Sequence, residues 1–290
     1  MFSIAYRMLG SVAEAEDIVQ DAFLRMHRSA DVDVASPAAY ATTVTTRLAI
    51  DQLRSARVRR ETYVGSWLPE PLLTTADEAD PAARAEAADT LSMAFLVLLE
   101  SLSPVERAVF LLREVFGYGY ERIADVVEKS EQNCRQIFVR ARARVDERRP
   151  RFETSRPKRD ELARRFFAAC ESGDTEALEQ LLADDVVFYG DGGGKAPAVH
   201  RPIQGRVQVG RFVIALFRQT APLELRVETL EVNGQPGVRV MDSSGRLLCV
   251  LALDIADGQV QALRNVLNPD KLHHLGTVGD LGYLLASRET

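Results

Sequence analysis

The chain has 290 residues, 46% hydrophobic and 27% charged, with a formal net charge of −6. That length can bury one full core and leaves room for two or three smaller ones, while the acidic balance excludes a globally basic coat, so any DNA affinity must sit in local stripes. The three cysteines, Cys134, Cys170 and Cys249, lie far apart without a C-x-x-C pair, arguing against a disulfide framework or a metal site; no signal peptide or bilayer-length apolar run is evident, which predicts a cytoplasmic protein with no membrane partner.

Ser11-Val12-Ala13-Glu14 reads as a capping box opening an amphipathic helix, with Ala15, Ile18, Val19, Ala22, Phe23 and Met26 inside and Asp17, Gln20, Asp21 and Arg25 outside. Ser36-Pro37 starts a second helix that ends in the run Arg54-Ser55-Ala56-Arg57-Val58-Arg59-Arg60. This basic stripe suits phosphates, although a solvated helix end that complements the dipole would look the same. Residues 61–88 lose periodicity and read as a linker. The chain's single tryptophan, Trp67, lies in it, within Trp67-Leu68-Pro69-Glu70-Pro71. An indole is a poor choice for a passive tether, so we expect it to anchor on another surface, the plainer reading being packing on neighbouring helices.

Ser103-Pro104-Val105-Glu106 combines a serine cap, a proline at the first helical position and a capping-box glutamate. The helix carries Val109, Phe110, Leu112 and Phe116 and stops at Gly117 and Gly119; a second follows from Tyr120 with Ile123, Ala124 and Val127 inward. Ser130 then caps a third bearing Gln132, Asn133, Arg135, Gln136, Arg140, Arg142 and Arg144. This is a helix-turn-helix pattern, in which early amides and guanidinium groups reach base edges and later arginines meet phosphates. Lys129 stands where the turn commonly has a glycine. An ordinary three-helix bundle with a solvated basic face is the bland alternative.

Beyond residue 151 two amphipathic helices (159–170 and 174–182) precede a short strand at 186–189, the run Asp191-Gly192-Gly193-Gly194-Lys195, and a helix over 205–217. Four β-rich stretches follow, separated by turns at Asn233-Gly234, Ser244-Gly245 and Asp257-Gly258. The pattern predicts an α+β domain whose antiparallel meander wraps a helix.

The first half of the chain resembles an extracytoplasmic-function (ECF) sigma factor, which gives bacterial RNA polymerase its promoter specificity. Arg7-Met8-Leu9-Gly10-Ser11 through Glu16-Asp17-Ile18-Val19-Gln20-Asp21-Ala22-Phe23-Leu24 looks like the region 2 segment that binds the polymerase clamp, implying contacts from Asp17, Gln20, Asp21, Phe23 and Leu24. Residues 40–60 look like the part that melts and reads the −10 element, with Arg47, Asp51, Arg54, Arg57, Arg59 and Arg60 on DNA and a flipped-base pocket near 30–36. Residues 102–144 look like region 4, reading the −35 element through Ser130, Gln132, Asn133, Arg135, Gln136, Arg140 and Arg142. The family's first helix is usually longer than the Met1-Phe2-Ser3 start allows, so part of it is expected to be missing. Arg47 replaces a common asparagine and Tyr40 a common tryptophan, which bears on −10 preference.

From about residue 160 the chain resembles a SnoaL-like cone domain. Trp67-Leu68-Pro69-Glu70-Pro71, Asp191-Gly192-Gly193-Gly194-Lys195 and Asn268-Pro269-Asp270-Lys271 look like signatures of the sigma subgroup carrying this fused domain, in which the extension regulates the sigma core. The resemblance therefore implies a multidomain chain: region 2 over 1–62, the linker over 63–88, region 4 over 89–152, the cone over 158–272 and a tail over 273–290. Core polymerase and promoter DNA are the implied partners, and no cofactor is implied. We expect Trp67 and Pro69 to meet the Asp191–Lys195 loop and the Asn268–Lys271 turn. For the cone itself three roles stay open: docking, small-molecule sensing, and acid–base chemistry from a set drawn from Tyr189, Asp191, Lys195, His200, Asp254 and Arg264. A metal site on His273 and His274 is the least favoured option. Two other classes compete with the sigma reading: a ligand-responsive helix-turn-helix regulator, and a cone-fold enzyme with a DNA-binding appendage.

Overall fold

The computed structural model describes residues 1–28, 36–74, 89–147 and 155–287, the side chains of 56–61 excepted. The chain divides into two compact units, Met1–Thr62 with Phe95–Arg149, and Tyr63–Ala94 with Pro150–Thr290.

The first unit is all helical. α1 (Phe2–Leu9) ends on Gly10, whose φ of 67° a side chain would resist. α2 (Val12–Arg28) begins where Ser11 Oγ accepts the Glu14 amide at 3.1 Å, and α3 (Pro37–Glu61) where Ser36 Oγ accepts that of Ala39 at 3.3 Å. α2 buries Val12, Ala15, Ile18 and Ala22. Phe23 does not join them: it is 57% exposed, a correction to the inward position its spacing suggested, because the buried stripe of α2 is one residue narrower there.

α4 (Met93–Leu99) precedes α5 (Pro104–Phe110), where Ser103 and Glu106 exchange both capping-box bonds. The expected continuous helix to Gly117 instead loosens into a π turn over Leu111–Val115. α6 (Tyr120–Val127) and α7 (Glu131–Asp146) follow, the latter capped by Ser130 on the Asn133 amide at 3.3 Å. Val126, not Val127, is the buried valine of α6. The left-handed residue of the turn is Glu128, with φ 55°, rather than Lys129. Phe110 stacks on Phe138 and meets Phe95 at a tilt, each at 6.2 Å between centroids.

The second unit has α8 (Arg156–Ser172), α9 (Thr175–Leu181) and α10 (Arg206–Thr220) against a seven-stranded sheet ordered β1-β4-β5-β6-β7-β2-β3. The strands are β1 (Leu73–Thr74), β2 (Leu182–Asp191), β3 (Ile203–Gln204), β4 (Arg226–Val232), β5 (Gln235–Met241), β6 (Leu247–Ala256) and β7 (Gln259–Val266). β4 to β7 form the expected antiparallel meander, but β2 lies parallel to β7, so the sheet is mixed. β1 comes from the linker: Leu73 pairs with Val232, making part of the expected tether an edge strand of this sheet. A tail helix, α11 (Leu281–Ala286), closes the unit.

Candidate functional site

In the first unit α7 presents Gln132, Arg135, Gln136, Arg140 and Arg142 to solvent, with Asn133 half-buried at its first turn, while Cys134, Ile137, Phe138 and Ala141 face the core. Val139, which composition alone did not single out, is 65% exposed on the same face. Arg135 is steered by Glu131 at 2.8 Å and by the Tyr120 ring, and Arg142 by Asp146 at 3.4 Å. Such exposed pairs are worth at most about 1 kcal/mol and yield readily to a phosphate.

Arg47 is engaged differently. Its Nε donates to Val126 O at 3.0 Å, its Nη2 to Asp125 O at 2.7 Å, and its Nη1 pairs with Glu128 at 3.0 Å. These acceptors cluster at the C-terminal, negative end of α6. Arg122 of α6 returns the contact by donating to Ala39 O and to Thr43 Oγ1, and Thr42 and Tyr118 share a hydrogen bond of 3.0 Å. Asp51 and Arg54 pair with each other at 2.9 Å and are exposed. The side chains of Arg57, Arg59 and Arg60, and the loop expected to hold a flipped base apart from Ser36, lie outside the described residues. On α2, Asp17, Gln20, Asp21, Phe23 and Leu24 are all exposed, giving an apolar pair flanked by acids.

The second unit brings the three motifs together. Asp191, at the end of β2, is completely buried, and its carboxylate accepts from Tyr63 Oη, from the Leu68 amide at 2.7 Å and from Lys271 Nζ at 2.6 Å. Lys271 also donates to Leu68 O, and its ammonium lies 4.5 Å from the Trp67 ring and 4.7 Å from the Tyr63 ring. Asn268 Nδ2 reaches Tyr63 Oη at 2.8 Å, and the Leu267 and Asn268 amides both bond Asp191 O. Lys195 pairs with Asp270 at 2.6 Å, and Pro269 opens the turn that carries Asp270 and Lys271. Pro69, Glu70 and Pro71 are buried beside this hub.

The glycines have a steric reason: a Cβ on Gly192 would strike Ala196 O and one on Gly193 would strike Asn268 Nδ2, while Gly193 and Gly194 also have positive φ. Burial, then the bond to Asp191 and its charge, hold the Tyr63 phenol far above its ordinary pKa. Tyr63 was missed by sequence reading; its place four residues before Trp67 carries no motif.

Only part of the acid–base set comes together, with Arg264 over the Tyr189 ring at 4.9 Å and paired with Asp254. A cavity of about 760 Å³ lies in this unit, but Tyr189, Asp191, Lys195, His200, Asp254 and Arg264 are all absent from its wall. Asp254 and Arg264 instead form a buried pair at 2.7 Å, where burial raises the Asp254 pKa against the pull of Arg264. His200 is exposed. His274 bonds Pro71 O at 2.8 Å, and among the described residues no His, Cys, Asp and Glu cluster is fit to hold a metal. No helix among the described residues is long and apolar enough to cross a membrane.

Comparison with known proteins assigns the same modules. Family models match Sigma-70 region 2 over residues 1–59, Sigma-70 region 4 over 92–145 and a SnoaL-like domain over 163–267. The ECF RNA polymerase sigma factor SigJ of Mycobacterium tuberculosis is 40% identical over 279 residues, 93% of this chain and 89% of that one. The probable ECF sigma factor SigI of the same species is 31% identical over 277 residues, 95% and 92% of the two chains. The crystal structure of SigJ matches with a TM-score of 0.75 at 36% identity, covering 94% of each chain.

Proposed function

The chain belongs to the ECF RNA polymerase sigma factors, and from that footing we propose that its SnoaL-like domain regulates promoter-specific initiation by holding the linker between regions 2 and 4. The observation that carries the proposal is the convergence of Tyr63, Leu68 and Lys271 on buried Asp191. Residues 63–74 are thereby bound to the cone at both ends, by this hub and by the β1–β4 pairing. A tether raises the effective concentration of the second DNA contact only while its reach matches the spacing of the two elements. Shortening its free length changes which promoters both regions can engage.

In this reading Asp17, Gln20, Asp21, Phe23 and Leu24 dock on core polymerase, mixing apolar burial with charge complementarity. Arg47, Asp51, Arg54, Arg57, Arg59 and Arg60 hold the opened −10 strand. Gln132, Asn133, Arg135, Gln136 and Val139 face bases of the −35 element, while Ser130, Arg140 and Arg142 position the helix. Two modest readers acting together supply what one helix-turn-helix, burying about 600–1,000 Å², does not. The chain works in the cytoplasm, where polymerase is, and its cone acts as a regulator rather than an enzyme. A plain helix-turn-helix regulator has no use for region 2, which disfavours that alternative.

Trp67→Ala removes the indole from the Lys271 ammonium. We expect it to raise run-off transcription by reconstituted polymerase several-fold while leaving core binding unchanged. Output identical to that of the parent chain would count against the linker clamp.

A further inference from the structure

The cavity in the second unit falls within the roughly 300–1,000 Å³ range of small-molecule sites, at about 760 Å³. Its wall is aliphatic and aromatic, with Phe188, Val199, Phe212, Leu251 and Leu267 in the lining. One polar side chain is set into the sheet side of it. Asn265 of β7 sits between Gly190 of β2 and Leu251 of β6, is 7% exposed, and its buried Oδ1 has no hydrogen-bond partner among the described residues. Native folds satisfy nearly all such atoms, so an unmet side-chain amide at the wall of a cavity marks where a ligand's polar group would sit.

We infer that this cavity binds a neutral, largely hydrocarbon small molecule carrying a hydroxyl that bonds Asn265, with the tail helix α11 as part of the binding wall. A hydroxyl both donates and accepts, so it matches a side-chain amide whichever end meets it. A carboxylate fits poorly: exposed Glu171 and Glu224 stand against a single guanidinium, Arg218, at the rim. The wall holds its ligand without reacting with it. Burial pushes the Cys170 and Cys249 thiols up to about 12, so neither is a thiolate near neutral pH.

The tail is tied at its start by His274 on Pro71 O and further on to β6. The Leu247 amide donates to Thr277 O and the Gly279 amide to Leu247 O, each at 2.8 Å, and α11 then turns Leu281 and Leu285, both half-buried, into the lining. A ligand touching both leucines adds apolar contact to that hold. The same strand carries the signal onward: Asn265 stands six residues before Lys271, and the intervening Leu267 amide bonds Asp191 O at 2.8 Å. That onward step rests on the linker-clamp reading; binding itself does not.

The test uses the full chain, 1-decanol as probe and decanoate as its charged counterpart. Calorimetric titration reads binding, and emission from Trp67, the only tryptophan, reads the hub. Expected are saturable binding of 1-decanol, at least tenfold weaker binding of decanoate, and about tenfold loss of alcohol affinity in both Asn265→Leu and the double variant Leu281→Ala/Leu285→Ala. Should Asn265→Leu fail to fold, slower hydrogen exchange across α11 on adding 1-decanol to the parent chain is the equivalent positive result. No saturable binding up to the solubility limit, equal binding of alcohol and carboxylate, or unchanged affinity in either variant overturns the proposal. Binding as expected with unmoved Trp67 emission upholds the cavity and overturns its coupling to the linker.

Discussion

At the scale of single residues, Tyr63 shows how the hub is tuned by burial. Its hydroxyl donates to the Asp191 carboxylate and accepts from Asn268, so the neutral phenol is the form the fold prefers, and its pKa is raised by burial first and by Asp191 second. The sign follows from proton counts. Below about pH 10, the ordinary tyrosine value, folded and unfolded chains both keep the proton and the stabilisation is full. Above it the unfolded chain loses the proton while the folded one retains it, so stability falls as pH rises. Tyr63→Phe should cost about 1.5–3 kcal/mol at neutral pH, the worth of a hydrogen bond to a charged acceptor, and should flatten the alkaline fall. Thermal melts of both chains between pH 8 and 11 check this: the gap should narrow with pH, and parallel curves would refute it.

At the scale of elements, β1 is held to the sheet by backbone pairing, by Thr74 on Glu231 and Gly234, and by the side chain of Asn233. Asn233 occupies the left-handed turn position at φ 52°, where its Oδ1 takes the Leu72 amide at 2.9 Å and its Nδ2 donates to Leu91 O at 3.0 Å. Asn233→Gly keeps the turn geometry and removes both bonds. At about 1 kcal/mol for each net hydrogen bond, amide exchange at Leu72 and Leu73 should quicken at least tenfold while β6 stays protected; unchanged exchange would show that the other contacts hold the strand.

The turn at Asn233-Gly234 was legible in the sequence, and so were the helix starts at Ser11, Ser36, Ser103 and Ser130, because a cap is a local bond between residues three apart. What joins distant segments was less so. The register of β2 on β7, and the faces on which Asp254 and Arg264 fall, depend on shifts between Leu182 and Val187 and between Asp254 and Ile255. A shift of one residue exchanges the faces of every side chain beyond it, so alternation alone could not place the acid–base candidates. The meeting of the three motifs was expected from their resemblance to a sigma subgroup's signatures, but Tyr63 and Asn265 were not, since the surroundings that single each out are supplied only by the fold.

At the scale of the whole sigma module, the arginine proposed to hold the −10 strand is bound to the helix-turn-helix. Arg47 uses all its nitrogens on the end of α6, and a phosphate needs the same fork. On that proposal regions 2 and 4 part at this contact before both read DNA, and the hold is modest because Arg47 and Glu128 are 44% and 73% exposed in their side chains. Two substitutions separate the two jobs of Arg47. Glu128→Ala loosens the contact and touches no phosphate, so exchange at the α6 C-terminus should rise in the free protein while the salt dependence of promoter binding by the reconstituted polymerase is unchanged. Arg47→Ala should loosen the same contact and also lower the salt slope by about one, the signature of one lost phosphate contact. If Arg47→Ala left the slope where it was, Arg47 would be a latch between the regions and nothing more, and the −10 phosphates would be held by the arginines that follow it on α3.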